Sequence, residues 1–252
     1  MKTPSLVEHF ASYFQVLLAD TEALKDEAHK VRYDVYCREF AYEKEEDCPG
    51  GRERDEYDAF ALHCIIRHRA CDVPAGCIRV VIPPAEQPGF LLPMEAFCRD
   101  SLTHSELKPE AFTRDRIGEV SRLAVHTQFR RRRGESDSPA GYPGWDEMSE
   151  EERRTFPLLG LALFCAGTSL MQMAGREYAF VMMERRLARM LQSSGFPFVR
   201  IGEPMEYHGT RAAYYVRVEQ VIHSMQGDIP GLHNYVHESL MNGARGGSLP
   251  VL

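Results

Sequence analysis

The seven cysteines, Cys37, Cys48, Cys64, Cys71, Cys77, Cys98 and Cys165, include no C-x-x-C pair. An odd, scattered set builds neither a disulfide framework nor a zinc site, so they read as reduced thiols, mostly small core residues. The opening MKTPSLVEHF lacks a positive region followed by an apolar stretch. No signal peptide is therefore expected, and the chain reads as cytoplasmic. Long hydrophobic runs are missing as well. The longest, Leu158 to Ala174, is interrupted by Gly160, Gly167, Thr168, Ser169 and Gln172, too short and too polar for a membrane span. Excess positive charge is absent, the formal net charge being −7, which argues against a dedicated nucleic-acid binder. There is no G-x-G-x-x-G after a strand, no Walker loop, no H-E-x-x-H and no G-x-S-x-G. Dinucleotide, P-loop and nucleophile-elbow chemistry thus have no support. The ten histidines show no metal-ligand spacing, so no metal site is expected, and His63, inside a strand, reads as structural.

What remains is an ordinary globular composition, 44% hydrophobic and 27% charged over 252 residues, compatible with one large domain spanning 1–252. Leu6, Phe10, Tyr13, Phe14, Leu17 and Leu18 recur at helical spacing and predict a helix over 5–20. A second helix follows through about Phe40, so 1–50 is an N-terminal helical region, closed by a polar loop from Glu43 to Arg54. Strands are expected at Phe60–His68, Gly76–Ile82 and Ile117–His126. The stretch 129–157 reads as a mobile insertion, with a capping box at Ser149 and Glu152 near its end. An apolar helix over 158–174, a buried strand Tyr178–Met183 and a helix Arg185–Ser194 come next. Two more strands, Phe198–Met205 and Ala212–Val218, flank Gly209, and 225–252 carries little signal. Alternating helices and strands imply a mixed α/β (α+β) sheet flanked by helices.

The chemistry rests on charged residues at strand edges. Arg32 alone reads as a surface arginine, and Asp55 and Asp58 as a polar turn before a strand. Arg79 differs, because it interrupts the apolar run Cys77 to Ile82 and would be costly to bury unpaired. Asp55, Asp58 and Glu119 are its available partners. Simple alternation puts Glu119 and Ser121 on one face of their strand and Arg122 on the other. If all serve one site, that strand must bulge.

Taken in order, Arg32 and Tyr36, then Asp55 and Asp58, then Gly76 and Arg79, then Glu119, Ser121 and Arg122 form a pattern. It resembles that of the acyl-homoserine-lactone autoinducer synthases and the related N-acyl amino acid synthases. VRYDVYCREF and GEVSRLAV resemble most closely the acyltransferases associated with the PEP-CTERM/exosortase system. The resemblance covers roughly 25–200 and implies a GNAT-like acyl-CoA N-acyltransferase fold, with the sheet splayed between two parallel strands. It further implies a long-chain acyl group carried as a thioester on acyl carrier protein, a small amine or amino acid as acceptor, and no tightly bound cofactor. Acyl-phosphopantetheine, or acyl-coenzyme A, is then the donor substrate.

A thioester is already activated, so such an enzyme needs a neutral amine, positioning and oxyanion stabilisation. Glu119 is the candidate base, with Arg79 and Arg122 beside it. Arg32, Tyr36, Asp55, Asp58 and Ser121 surround the acceptor, and Arg32 or Arg79 is placed to hold an acceptor carboxylate. Backbone N–H groups of Leu123, Ala124 and Val125 polarise the thioester carbonyl. Arg130, Arg131, Arg132 and Arg133 read either as a solvated loop or as a docking surface for an acidic carrier protein. Gln128 and Gly134 are present around them, but the usual Q/R-x-x-G-x-G/A spacing for coenzyme A is not. For the group that protonates the departing thiolate, Tyr207 and Tyr178 are the candidates. Met171, Met173, Met182, Met183 and Met190 read as core or as lining of an acyl tunnel. Two other readings stay open: an acetyl-coenzyme A-dependent enzyme of the same fold, and a non-catalytic regulator binding acyl chains or nucleic acid through Arg130 to Arg133.

Overall fold

The computed structural model describes residues 5–130 and 149–246. Helix α1 (Leu6–Tyr13) starts at a capping box in which Ser5 and Glu8 satisfy each other's backbone N–H groups. The helix expected to continue to residue 20 gives way instead to strand β1 (Phe14–Leu18), with Phe14, Val16 and Leu18 buried on alternate positions. FQVLL satisfies both a helical and a two-residue period, and pairing with the next strand decides between them. Helix α2 (Glu22–Arg32) runs directly into a π-helical segment, Tyr33–Glu39.

Strands β2 (Ala61–His68), β3 (Pro74–Val81) and β4 (Ile117–Val125) fall within two residues of the expected bounds at every end. Between the last two lies the short helix α3 (Pro93–Phe97). Residues 131–148, most of the stretch expected as a mobile insertion, lie outside the described residues. Next come α4 (Glu150–Arg154), α5 (Leu158–Met173), β5 (Tyr178–Met183) and α6 (Arg185–Ser193). The capping box at Ser149 is present, and it starts α4. The strand expected over 198–205 is cut to β6 (Val199–Arg200) and β7 (Met205–Glu206), since Gly202 and Pro204 fall in its middle. Strand β8 (Thr210–Arg217) and helix α7 (Val218–Ser224) follow.

The weak C-terminal signal conceals α8 (Ile229–Gly246). Its Leu232, Val236 and Leu240, four residues apart, are all buried, and the Tyr235 hydroxyl donates to the Phe14 carbonyl at 3.0 Å.

The eight strands form one sheet, ordered β1-β2-β3-β4-β5-β8-β6, with β7 paired to β8. All pairings are antiparallel except β4 with β5. Helices α5 and α8 cover one face through Cys64, Ile66, Ile78 and Val80. Helix α2 covers the other through Ala28 and Val31, against Ile65, Cys77 and Ala124. Arg79 shares that second face by alternation with Cys77, so α2 and the segment after it must supply its partners.

Candidate active site

Three arginines and four carboxylates meet on the α2 face of the sheet, Glu43 among them 3.6 Å from Arg122. Arg32, 1% exposed and not the surface residue it resembles in isolation, grips Asp58 bidentately at 2.6 and 3.1 Å and also bonds Glu53. Arg79, fully buried, donates to Asp55, to Asp58 at 2.9 Å and to the Ser121 hydroxyl at 3.1 Å. Arg122 donates to Glu53 at 3.1 Å and to Asp55 at 3.0 Å. Of the three partners considered for Arg79, Asp55 and Asp58 bind it, whereas Glu119 does not pair with it. Desolvation pushes the Asp58 carboxyl up, but Arg32 and Arg79 outweigh it and leave that group far below the usual carboxylate range. Glu53 is held low in the same way by Arg32 and Arg122 against its burial.

Glu53 is a cluster member that the sequence did not single out. It sits within the polar stretch expected to form a loop, yet it is 3% exposed. The loop folds inward because its backbone N–H bonds the His29 carbonyl and its side chain meets two guanidiniums. Nothing in GGRERDEY distinguishes this acid from its neighbours.

Bulging of β4 is the feature that assembles the rest. Register shifts between Cys77 and Arg79, so Arg79 faces Ser121 while Cys77 faces Ala124. Arg122 sits in the shift with φ of 51°, a left-handed conformation that a long side chain rarely adopts. This turns Arg122 toward the face already occupied by Ser121. Gly76 fits the same place: a Cβ there would lie 2.7 Å from the Ala124 carbonyl oxygen.

Beyond Val120, β4 and β5 part company. Their parallel ladder ends at Val120↔Val181, although both strands continue. A cavity of about 210 Å³ opens in the gap, with Tyr36, Ser121, Arg122, Leu123, Met183 and Arg211 in its walls. The Tyr36 hydroxyl donates to the Leu123 carbonyl at 2.8 Å, and burial pushes it up to about 12. Of the five methionines considered for an acyl tunnel, Met182 and Met183 line this cavity. Met171 is buried in the core, and Met190 is 40% exposed.

Glu119 lies deeper, 3% exposed, with one carboxylate oxygen accepting the Met94 N–H at 2.8 Å. Burial pushes it up to about 8, against the Met94 N–H, Arg79 and Arg122. Tyr207 is half-buried nearby, and burial raises it. Tyr178 stands at the other end of β5, where its hydroxyl accepts from Arg116 at 2.8 Å, so it is removed from the cavity. Arg130 bonds Glu39 and the Val125 carbonyl and lies 4.9 Å over the Phe40 ring. Arg131, Arg132 and Arg133 lie outside the described residues.

Arg32 is saturated by protein carboxylates, which leaves it little capacity for an acceptor carboxylate, whereas Arg79 keeps a buried Nη2 with no hydrogen-bond partner. Arg211, on β8 and not singled out in the sequence, has such capacity as well. Its Nε is buried with no hydrogen-bond partner, and its guanidinium lies 5.5 Å from the Tyr42 ring centre. Ligand atoms of His29, Asp58 and His63 lie within 4.8 Å of one another. Both Asp58 oxygens are already taken by Arg32, with Arg79 and the Asp55 N–H adding to them. A divalent ion there would face two guanidiniums, so the set does not suit one.

The family model described as an acetyltransferase (GNAT) domain matches residues 31–136. No curated protein matches the chain in sequence. Solved structures that share its fold include TofI, BjaI and FeeM. TofI, in a ternary complex with an inhibitor and MTA, is 17% identical with a TM-score of 0.56, over 86% of this chain and 99% of that one. The coenzyme A-dependent acyl-homoserine lactone synthase BjaI, with SAM and isopentyl-CoA, is 18% identical with a TM-score of 0.55, over 89% of each chain. FeeM, an N-acyl amino acid synthase from uncultured soil microbes, is 14% identical with a TM-score of 0.52, over 84% of this chain and 94% of that one. This chain therefore has a GNAT-like acyltransferase fold, its residues 31–136 matching the acetyltransferase (GNAT) domain model.

Proposed function

We propose that this protein is an N-acyltransferase that moves a long-chain acyl group from a carrier-bound thioester to the amine of an amino acid or similar small acceptor. The observation that carries the reading is the parting of β4 and β5 beside a bulged, charge-bearing strand. An extended thioester arm entering that gap can replace the missing ladder with its own amide hydrogen bonds. Its carbonyl then meets the backbone N–H groups of Leu123 to Val125, which stabilise the oxyanion. Glu119, raised by burial, is a stronger base than an ordinary carboxylate and takes the proton of the attacking ammonium directly or through water. The Arg32, Arg79 and Arg122 cluster holds this wall rigid, with Tyr207 as donor to the leaving thiolate. Met182 and Met183 accommodate the chain.

Acyl carrier protein as donor, docking through the Arg130 to Arg133 run, a cytoplasmic setting and the PEP-CTERM/exosortase connection belong to this reading. So does an acceptor carboxylate held by Arg211. Incubating the protein with acylated carrier protein and pooled amines, with mass spectrometry of the products, tests it. N-acylated product is expected, and thioester that stays intact overturns the reading. The acetyltransferase family match favours a second reading, an acetyl-coenzyme A donor on the same fold. Thermal stabilisation by coenzyme A, together with acetylated products, would select it.

A further inference from the structure

Six of the seven cysteines are buried, and Cys71, in the turn between β2 and β3, is the exception. Its Sγ lies 3.0 Å from Nδ1 of His68. The other ring nitrogen, Nε2, contacts a carboxylate oxygen of Glu152, at the start of α4. Side chains of His68 and Glu152 are 1% and 9% exposed. The imidazole is clamped further by the rings of Phe14 and Phe129, each centred 5.4 Å away. The second Glu152 oxygen is occupied by the Ser149 N–H at 3.1 Å. An ionised Glu152 takes the Nε2 proton as its hydrogen-bond partner, which leaves the Nδ1 lone pair facing the thiol. Nucleophile, base and the group that orients the base thus come from a turn, a strand and a helix that are separate in sequence. None of the three belongs to the cavity between β4 and β5.

We propose that Cys71, His68 and Glu152 form a second nucleophilic site, at which Cys71 undergoes exchange with low-molecular-weight disulfides. The Cys71 proton passes to Nδ1 of His68 as the sulfur attacks one sulfur of the disulfide. A bond between Cys71 and that sulfur forms, the original S–S bond breaks, and the departing thiolate takes the proton back from His68. Cys71 ends as a mixed disulfide and one equivalent of free thiol is released. Attack on sulfur builds no oxyanion, so a thiol, its base and the base's carboxylate are the whole machinery required.

The test treats the full chain with oxidised glutathione at neutral pH and follows it by intact mass and peptide mapping. A synthetic peptide of residues 66–76, carrying Cys71 alone among the cysteines, gives the unassisted rate. One adduct is expected, on Cys71, forming about tenfold or more faster than on the peptide. Glu152→Gln and His68→Asn, each checked by thermal melting, should lower the rate toward that of the peptide, and Cys71→Ser should abolish the adduct. A folded-chain rate equal to the peptide's, an adduct spread over several cysteines, or an unchanged rate in folded Glu152→Gln overturns the proposal. The comparison of wild-type chain with peptide stands even where a variant fails to fold.

Discussion

Arg79 and Ser121 face each other across β3 and β4, and Nε of the arginine donates to the serine hydroxyl at 3.1 Å. One residue later the strand bulges and Arg122 takes φ of 51°. Two successive residues of one strand therefore serve the same charged wall, which regular alternation forbids.

Asp58→Asn should be among the most damaging single changes. It removes one charge from between two arginines that are each no more than 1% exposed. Breaking a buried pair typically costs about 3–5 kcal/mol, and urea denaturation at pH 7 should register a loss of that order. A loss below about 1 kcal/mol would mean that Glu53 and Asp55 compensate on their own.

Glu119 separates catalysis from stability. Its carboxyl titrates at about 8 in the folded chain, above its ordinary 4.5. Its contribution to stability is thus complete below about pH 4.5 and is lost as pH rises through 8. Glutamine cannot ionise and can still accept the Met94 N–H. Glu119→Gln should therefore be more stable than wild type at pH 8, by roughly 1–3 kcal/mol, while transferring acyl groups far more slowly. The wild-type rate should climb with pH through about 8. A variant as active as wild type removes Glu119 from the base role.

Acid should weaken the protein earlier than its carboxylates alone predict. Burial pushes His63 down to about 3 from 6.5, so the unfolded chain binds a proton there that the folded chain refuses. Stability from this group is present above pH 6.5 and is lost as pH falls from there toward 3. Melting temperatures between pH 7 and 4 should fall less steeply in His63→Gln than in wild type, and parallel curves would exclude this cause.

Arg211→Ala should raise KM for a carboxylate-bearing acceptor by about tenfold or more, the worth of a charged hydrogen bond, with a smaller effect on kcat. The methyl ester of the same acceptor should be indifferent to the change. Equal losses for acid and ester would assign Arg211 to the donor side of the cavity.

How much was legible in advance follows physical range. Strands β2 to β5 and helices α5 and α6 were readable because their burial patterns are local and their ends are marked by Pro, Gly or charge. Strand β1 was not, since Phe14–Leu18 fits two periods and only its ladder to β2 selects one. Helix α8 was missed because its apolar stripe is just Leu232, Val236 and Leu240, meaningful once α5 and β1 offer a surface. Within the cluster, the motif residues were visible by their order along the chain, whereas Glu53 and Arg211 resemble any exposed charge until the fold buries them.

By itself the amino-acid sequence determined the local elements and one obligation. An arginine set into the apolar strand Cys77 to Ile82 must meet carboxylates, because an unpaired buried charge is too costly to keep. Tertiary structure alone decided which carboxylates answer it, where β4 bulges and where β4 separates from β5. Those outcomes depend on strand register and on burial between segments dozens of residues apart. No local pattern encodes them, because backbone pairing and desolvation are set by whichever partner arrives.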